Sequence, residues 1–167
     1  MKKYIILLLL SSLVGAMNQV SAQEVYNYVL QSSSRIVDDP TSSFTHTRIA
    51  QFKKTALVYL KSKATETMPE VTDSFLNEQA YHLSEFIAFF IEEVLGETQR
   101  SKRDRKKTII NFINASLMNP LFNDDDTETT ECYFRDNDEL TPFSLNTDWV
   151  KAYNAAVALK KMKNSQR

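Results

Sequence analysis

Apolar positions recur at helical intervals in five stretches of the chain. The longest series, Leu76, Ala80, Leu83, Ile87, Phe90, Ile91 and Val94, predicts a helix over 74–95. Phe86 and Phe89 widen its apolar surface beyond one stripe, which makes this helix central, while Glu78, Glu85 and Glu92 fall seven apart on the opposite side. Tyr81 and Phe89 fall nearer the polar side, where an exposed pair would mark a contact surface. Thr72, Asp73 and Ser74 offer N-caps, and Gly96 stands where a C-terminal cap belongs.

Two helices are predicted before it. One covers 24–37, with Val25, Val29, Ser32 and Ile36 on one stripe, and Asp38-Asp39-Pro40 ends it. The other covers 47–67, with Ile49, Phe52, Ala56, Tyr59, Leu60 and Lys63 on one face and Pro69 beyond it. A fourth helix is predicted over 102–119, with Ile109, Phe112, Ile113, Ser116 and Leu117 inward and Pro120 at its end. Ser101 and Asp104 resemble a capping box at its start. The fifth begins near Thr147 or Asp148 and carries Trp149, Val150, Tyr153, Ala156 and Val157. Its closing lysines, Lys160, Lys161 and Lys163, suit the negative pole of a helix. Between the last two lies a connection, 120–146, long enough to be functional or mobile. Cys132-Tyr133-Phe134 has strand character, but no partner strand is evident. The expected fold is all-α, a single-domain bundle of about five helices with a long acidic loop before the last.

The first residues follow a different pattern. Lys2 and Lys3 precede a mostly apolar run, Tyr4 to Met17, and Val20-Ser21-Ala22 supplies small residues at cleavage spacing. This is the pattern of a secretory signal peptide over 1–22, cut between Ala22 and Gln23, leaving 23–167 as the helical domain. A membrane anchor is the rival, but the run is short of the ~18 apolar residues needed and is broken by Ser11 and Ser12. No cysteine follows at a lipid-anchoring position, and no transmembrane segment is expected after cleavage.

Composition narrows the chemistry. Removing Lys2 and Lys3 from the 20 basic residues leaves 18 against 21 acidic, a net charge of −3. That balance disfavours nucleic acid as a partner. Gly15 and Gly96 are the two glycines, so phosphate-cradling loops are nearly excluded. Cys132, the single cysteine, allows no internal disulfide; acidic Glu131 beside it disfavours the thiolate, so it reads as a bystander.

Each remaining candidate has a stronger structural reading. His82 and Glu85 stand three apart with Glu78 one turn earlier, but di-metal bundles need Glu-x-x-His twice, and His46 is the only other histidine. An edge-packed or solvated His82 is expected. Asn123-Asp124-Asp125-Asp126-Thr127-Glu128 and Asp136-Asn137-Asp138-Glu139 carry oxygen ligands but lack the glycine of a calcium loop. Arg100 to Lys107 could grip an anionic surface, or could simply be a solvated connection. Asn114-Ala115-Ser116 matches a glycosylation pattern inside a predicted helix, where chance is the better explanation. No serine has the glycine-flanked elbow of a hydrolase nucleophile. No catalytic, cofactor-binding or metal-ligating residue is assigned, and no cofactor is expected.

Met68-Pro69-Glu70-Val71-Thr72-Asp73-Ser74-Phe75-Leu76 and Thr141-Pro142-Phe143-Ser144-Leu145-Asn146-Thr147-Asp148-Trp149 resemble small exported proteins of Gram-negative anaerobes. That uncharacterised all-helical family implies an envelope location and transfers no activity. The resulting expectation is a periplasmic or secreted, non-enzymatic module with an envelope protein partner. Two alternatives stay open: a metal-dependent or hydrolytic enzyme centred on His82 and nearby carboxylates, and an anionic membrane-surface binder acting through 100–107.

Overall fold

The computed structural model describes residues 24–95, 101–123, 128–134 and 139–165. The leader, the Gly96 cap, Arg100 and most of both acidic runs therefore lie outside the described residues. Within them the chain forms α1 (Glu24–Asp38), α2 (Phe44–Thr67), α3 (Asp73–Leu95), α4 (Lys102–Leu117), β1 (Thr129–Phe134), β2 (Glu139–Ser144) and α5 (Trp149–Ser165). The fold is a mostly helical single domain with one short hairpin. No helix among the described residues is long and apolar enough to cross a membrane.

The central position expected for α3 is observed: it packs against all four other helices. Leu76, Ala80, Leu83, Ile87, Phe90 and Val94 are buried as the periodicity requires, and Phe86 joins them at 0 % exposure. Glu78 and Glu92 stay exposed on the far side. Phe89 and Tyr81 do not form an exposed pair. Both are half-buried, and Phe89 packs edge-on against Phe112 and Tyr153, because α4 and α5 cover that flank.

The expected stripes of α1 and α2 are rotated by about one residue. On α1, Tyr26, Val29 and Ser33 are buried while Ile36 is exposed. Tyr26 fixes this rotation: its hydroxyl donates to the Leu57 carbonyl at 3.0 Å, and its backbone N–H donates to Asn77 Oδ1 at 2.9 Å. A buried tyrosine needs such a partner for its hydroxyl, and that need outweighs an aliphatic stripe. On α2, Leu57 and Ala64 enter the core, while Ile49, Tyr59 and Lys63 lie at its edge. This helix starts at Phe44, not Thr47, because Ser43 Oγ accepts from the His46 N–H at 3.3 Å. On α4, Leu117 is exposed instead of inward, since Ala115 and Ser116 take the inner positions.

The largest correction concerns the connection 120–146. Its second half is not a loop but an antiparallel hairpin, in which Cys132 pairs with Thr141 and Thr130 with Phe143. The partner strand missed in the sequence contains Pro142, which a two-stranded sheet tolerates because every strand has an open edge. β1 packs on α2 and β2 on α4, so the hairpin is wedged into the helical bundle. Thr141 and Phe143 alternate inward while Leu140 is exposed. Phe143 meets Phe52, Phe86 and Phe90 with ring centroids 5.5, 5.4 and 5.3 Å apart. Trp149 closes the same cluster from α5, 5.9 Å from Phe52 and 5.5 Å from Phe86.

Between the hairpin and α5, residues 144–149 run through a buried polar knot. The Ser144 N–H donates to Ser116 Oγ at 2.9 Å, and the Thr147 hydroxyl donates to the Ser144 carbonyl at 2.6 Å. Asn146 Oδ1 accepts from the N–H groups of Leu121 and Phe122, and its Nδ2 donates to the Phe122 carbonyl. Asp148 caps α5, accepting from the Lys151 N–H at 3.2 Å and from Gln79 Nε2 at 3.2 Å. Gln79 Oε1 in turn accepts from the Trp149 N–H at 2.8 Å. One short segment thereby locks the hairpin, α3, α4 and α5 together.

Candidate functional site

His82 lies on the half-buried flank of α3, between the rings of Tyr81 at 5.2 Å and Tyr153 at 5.7 Å. Its Nδ1 is 2.8 Å from the Glu78 carbonyl oxygen one turn earlier, so the backbone, not the Glu78 carboxylate, holds the ring. Glu78 itself is exposed, and His46 is exposed at the start of α2. Among the described residues, no three His, Cys, Asp or Glu side chains converge in a cluster able to hold a metal ion. The acidic runs expected as solvated loops fall largely outside the described residues.

Glu85 takes part in a different grouping. Lys53 of α2 lies within electrostatic reach of both Glu85 and Cys132. Some Lys53 surface remains exposed, yet crowding around its ammonium lowers its pKa, with the Cys132 and Glu85 charges opposing that fall. Burial pushes the Cys132 thiol up to about 12, against the pull of Lys53 and Arg48. Arg48 stands 4.0 Å from Glu131 at the rim. The basic neighbour missing from the local sequence is thus supplied by α2, but burial outweighs it. The thiol thus stays protonated at ordinary pH. Cys132 should therefore resist iodoacetamide in the native protein and react fully in urea. Rapid native labelling, followed by mass spectrometry, would contradict this burial.

The basic run expected at 100–107 opens α4. Ser101 Oγ accepts from the Asp104 N–H at 3.2 Å and donates to Asp104 Oδ2 at 2.7 Å, which holds the first turn despite the surrounding positive charge. Lys102, Arg103, Lys106 and Lys107 are exposed, and no ion pair among the described residues involves them.

What the sequence did not reveal is the surface this run joins. α4 and α5 pack antiparallel. The Asp148 N–H donates to the Asn119 carbonyl at one end, and Thr108 and Phe112 lie against Ala156 and Leu159 towards the other. The start of α4 and the end of α5 consequently share one end of the bundle. Lys160 is partnered there by Glu93 at 3.1 Å and Glu92 at 3.6 Å and lies over the Phe89 ring, whereas Lys161 is exposed and makes no ion pair among the described residues. Ile110 of α4 and Leu159 and Met162 of α5 are exposed, at 44, 37 and 55 %. A signal for this was present in Ile110, which falls outside the inward phase set by Ile109 and Phe112.

An open hollow of about 670 Å³ lies against α4, lined by Ser101, Arg103, Asp104, Lys106, Lys107 and Ile110. A smaller hollow between α3, α4 and α5, of about 30 Å³, is lined by Phe89, Thr108, Phe112 and Leu159. In comparisons with family models, curated proteins and solved structures, the chain has no match.

Proposed function

We propose that this chain is an exported envelope accessory protein that works by contact rather than catalysis. Its contact surface is the exposed face of α4 that carries Arg103, Lys106, Lys107 and Ile110. The observation behind this reading is that exposed Arg103, Lys106 and Lys107 line one open hollow on α4 together with exposed Ile110. Elsewhere, the long-range bonds of Gln79, Ser116, Asn146, Thr147 and Asp148 hold elements of the fold together. The leader pattern at 1–22 and the resemblance to small exported proteins supply the compartment.

Expression with the native leader, followed by fractionation, tests both parts. The recovered protein should begin at Gln23 and sediment with envelopes. Arg103→Ala/Lys107→Ala/Ile110→Ser should keep its helical circular dichroism and melting temperature while moving to the soluble fraction. An unprocessed cytoplasmic product would refute the export reading. Unchanged retention of the triple variant, with activity in vivo lost instead in His82→Ala, would refute the contact reading.

A further inference from the structure

The position of the leader cut decides which residue opens the mature chain. With the cut between Ala22 and Gln23, that residue is a glutamine, and α1 begins one residue later at Glu24. The start of α1 is fixed to the rest of the fold. Tyr26, in its first turn, is buried; its N–H donates to Asn77 Oδ1 on α3 and its hydroxyl to the Leu57 carbonyl on α2. Export therefore delivers an α-amino group to the positive pole of a helix that is held in place.

An α-ammonium at that pole is opposed by the helix dipole, and Glu24, the acidic residue of the first turn, offsets part of this. The opposing field favours the unprotonated amine. An ordinary α-amino group has a pKa of about 7.7–8.0, so any fall raises the share of nucleophilic amine at neutral pH. Glutamine also carries its own electrophile. Its side-chain amide carbon closes an unstrained pyrrolidone ring when the α-nitrogen attacks it.

We propose that the mature chain carries a pyroglutamyl residue at position 23. The unprotonated α-nitrogen of Gln23 attacks Cδ; a bond forms between them, and the bond from Cδ to Nε2 breaks. Nε2 leaves as ammonia with the proton that the α-nitrogen gives up, and no oxidant or second substrate is consumed. The lactam is neutral, so the charge that opposes the α1 dipole disappears. No primary amine remains for an aminopeptidase to grip, which protects the helix that supplies Tyr26 and Val29 to the core. The proposal rests on the export reading for the position of the cut and adds a modification that the cut alone does not require.

The full chain, expressed with its own leader in a Gram-negative host, should be purified and its free amines dimethylated before trypsin digestion. The peptide of residues 23–35 contains no lysine, so the reagent can mark it only at the α-nitrogen. It is expected unmarked and lighter than its encoded mass by one ammonia, with fragment ions placing the loss on residue 23. Pyroglutamyl peptidase should then remove that residue and leave a peptide beginning at Glu24. Gln23→Ala, cut at the same bond, should give a fully marked peptide of encoded mass. A marked wild-type peptide of encoded mass would overturn the proposal and leave the export reading intact, as would a cut elsewhere in the leader. A chain that still carries Lys2 and Lys3 would remove both.

Discussion

Phe143→Ala should destabilise the protein by about 3–5 kcal/mol, seen as a lower urea midpoint at similar slope. The side chain is fully buried and touches three phenylalanines on two helices, so truncation leaves a cavity that several rigid elements surround. Its position multiplies the effect. Phe143 is the main side chain through which β2 enters the aromatic core, and the hairpin otherwise offers a two-stranded sheet too small to persist alone. A loss of this size approaches the whole stability of an ordinary domain, so Phe143→Leu provides a graded version expected to cost about 1–2 kcal/mol. Leu140→Ala, one pleat away on the exposed face, should change stability by less than about 0.5 kcal/mol. Equal effects at 140 and 143 would mean that the hairpin does not sit in the core.

Asp148→Ala should cost about 2–4 kcal/mol, which combines a lost helix cap with a buried Gln79 amide left without its acceptor. The Lys151 ammonium, 3.0 Å away but largely exposed, adds little to this. Burial alone would raise the Asp148 pKa, but hydrogen bonds from Lys151 and Gln79 and the Lys151 charge overcome it, so the folded value lies below the ordinary one. The stabilisation is therefore complete above the unfolded carboxyl pKa of about 3.9 and is lost as pH falls through the lowered folded value. Asp148→Asn keeps cap geometry without charge. The stability gap between wild type and Asp148→Asn should be constant near neutrality and close below about pH 4. A gap that widens in acid would contradict the carboxylate's place in the knot.

The two experiments probe the part of the fold that was hardest to read. Residues 120–146 carry short apolar runs, turn-forming acids and two prolines, a pattern equally suited to an exposed loop. Strand pairing is a non-local property: Cys132 and Thr141 become neighbours only when β1 and β2 align, and nothing in either run names its partner. Buried Ser116, Asn146 and Thr147 look in sequence like ordinary surface polar residues. Their burial is acceptable only because each finds a hydrogen-bond partner on another element.

The candidate surface divides in the same way. The basic residues of 102–107 were evident as a cluster, and the structural reading of His82 agrees with its packing between two tyrosines. The closing lysines of α5 suited a helix dipole, yet Lys160 is engaged by α3 carboxylates, whereas Lys161 is exposed. Only the antiparallel packing of α4 on α5 brings the two basic segments to one end.

The sequence by itself determined the helices, their order and the central place of α3, because a helix's buried face repeats within a few residues and can be read locally. The tertiary structure decided how far each helix is rotated, where the hairpin enters the core, and which charges meet at the surface. Those outcomes depend on contacts between residues far apart in the chain, such as Tyr26 with Leu57, Phe52 with Phe143, and Gln79 with Asp148. Local periodicity carries no record of such partners.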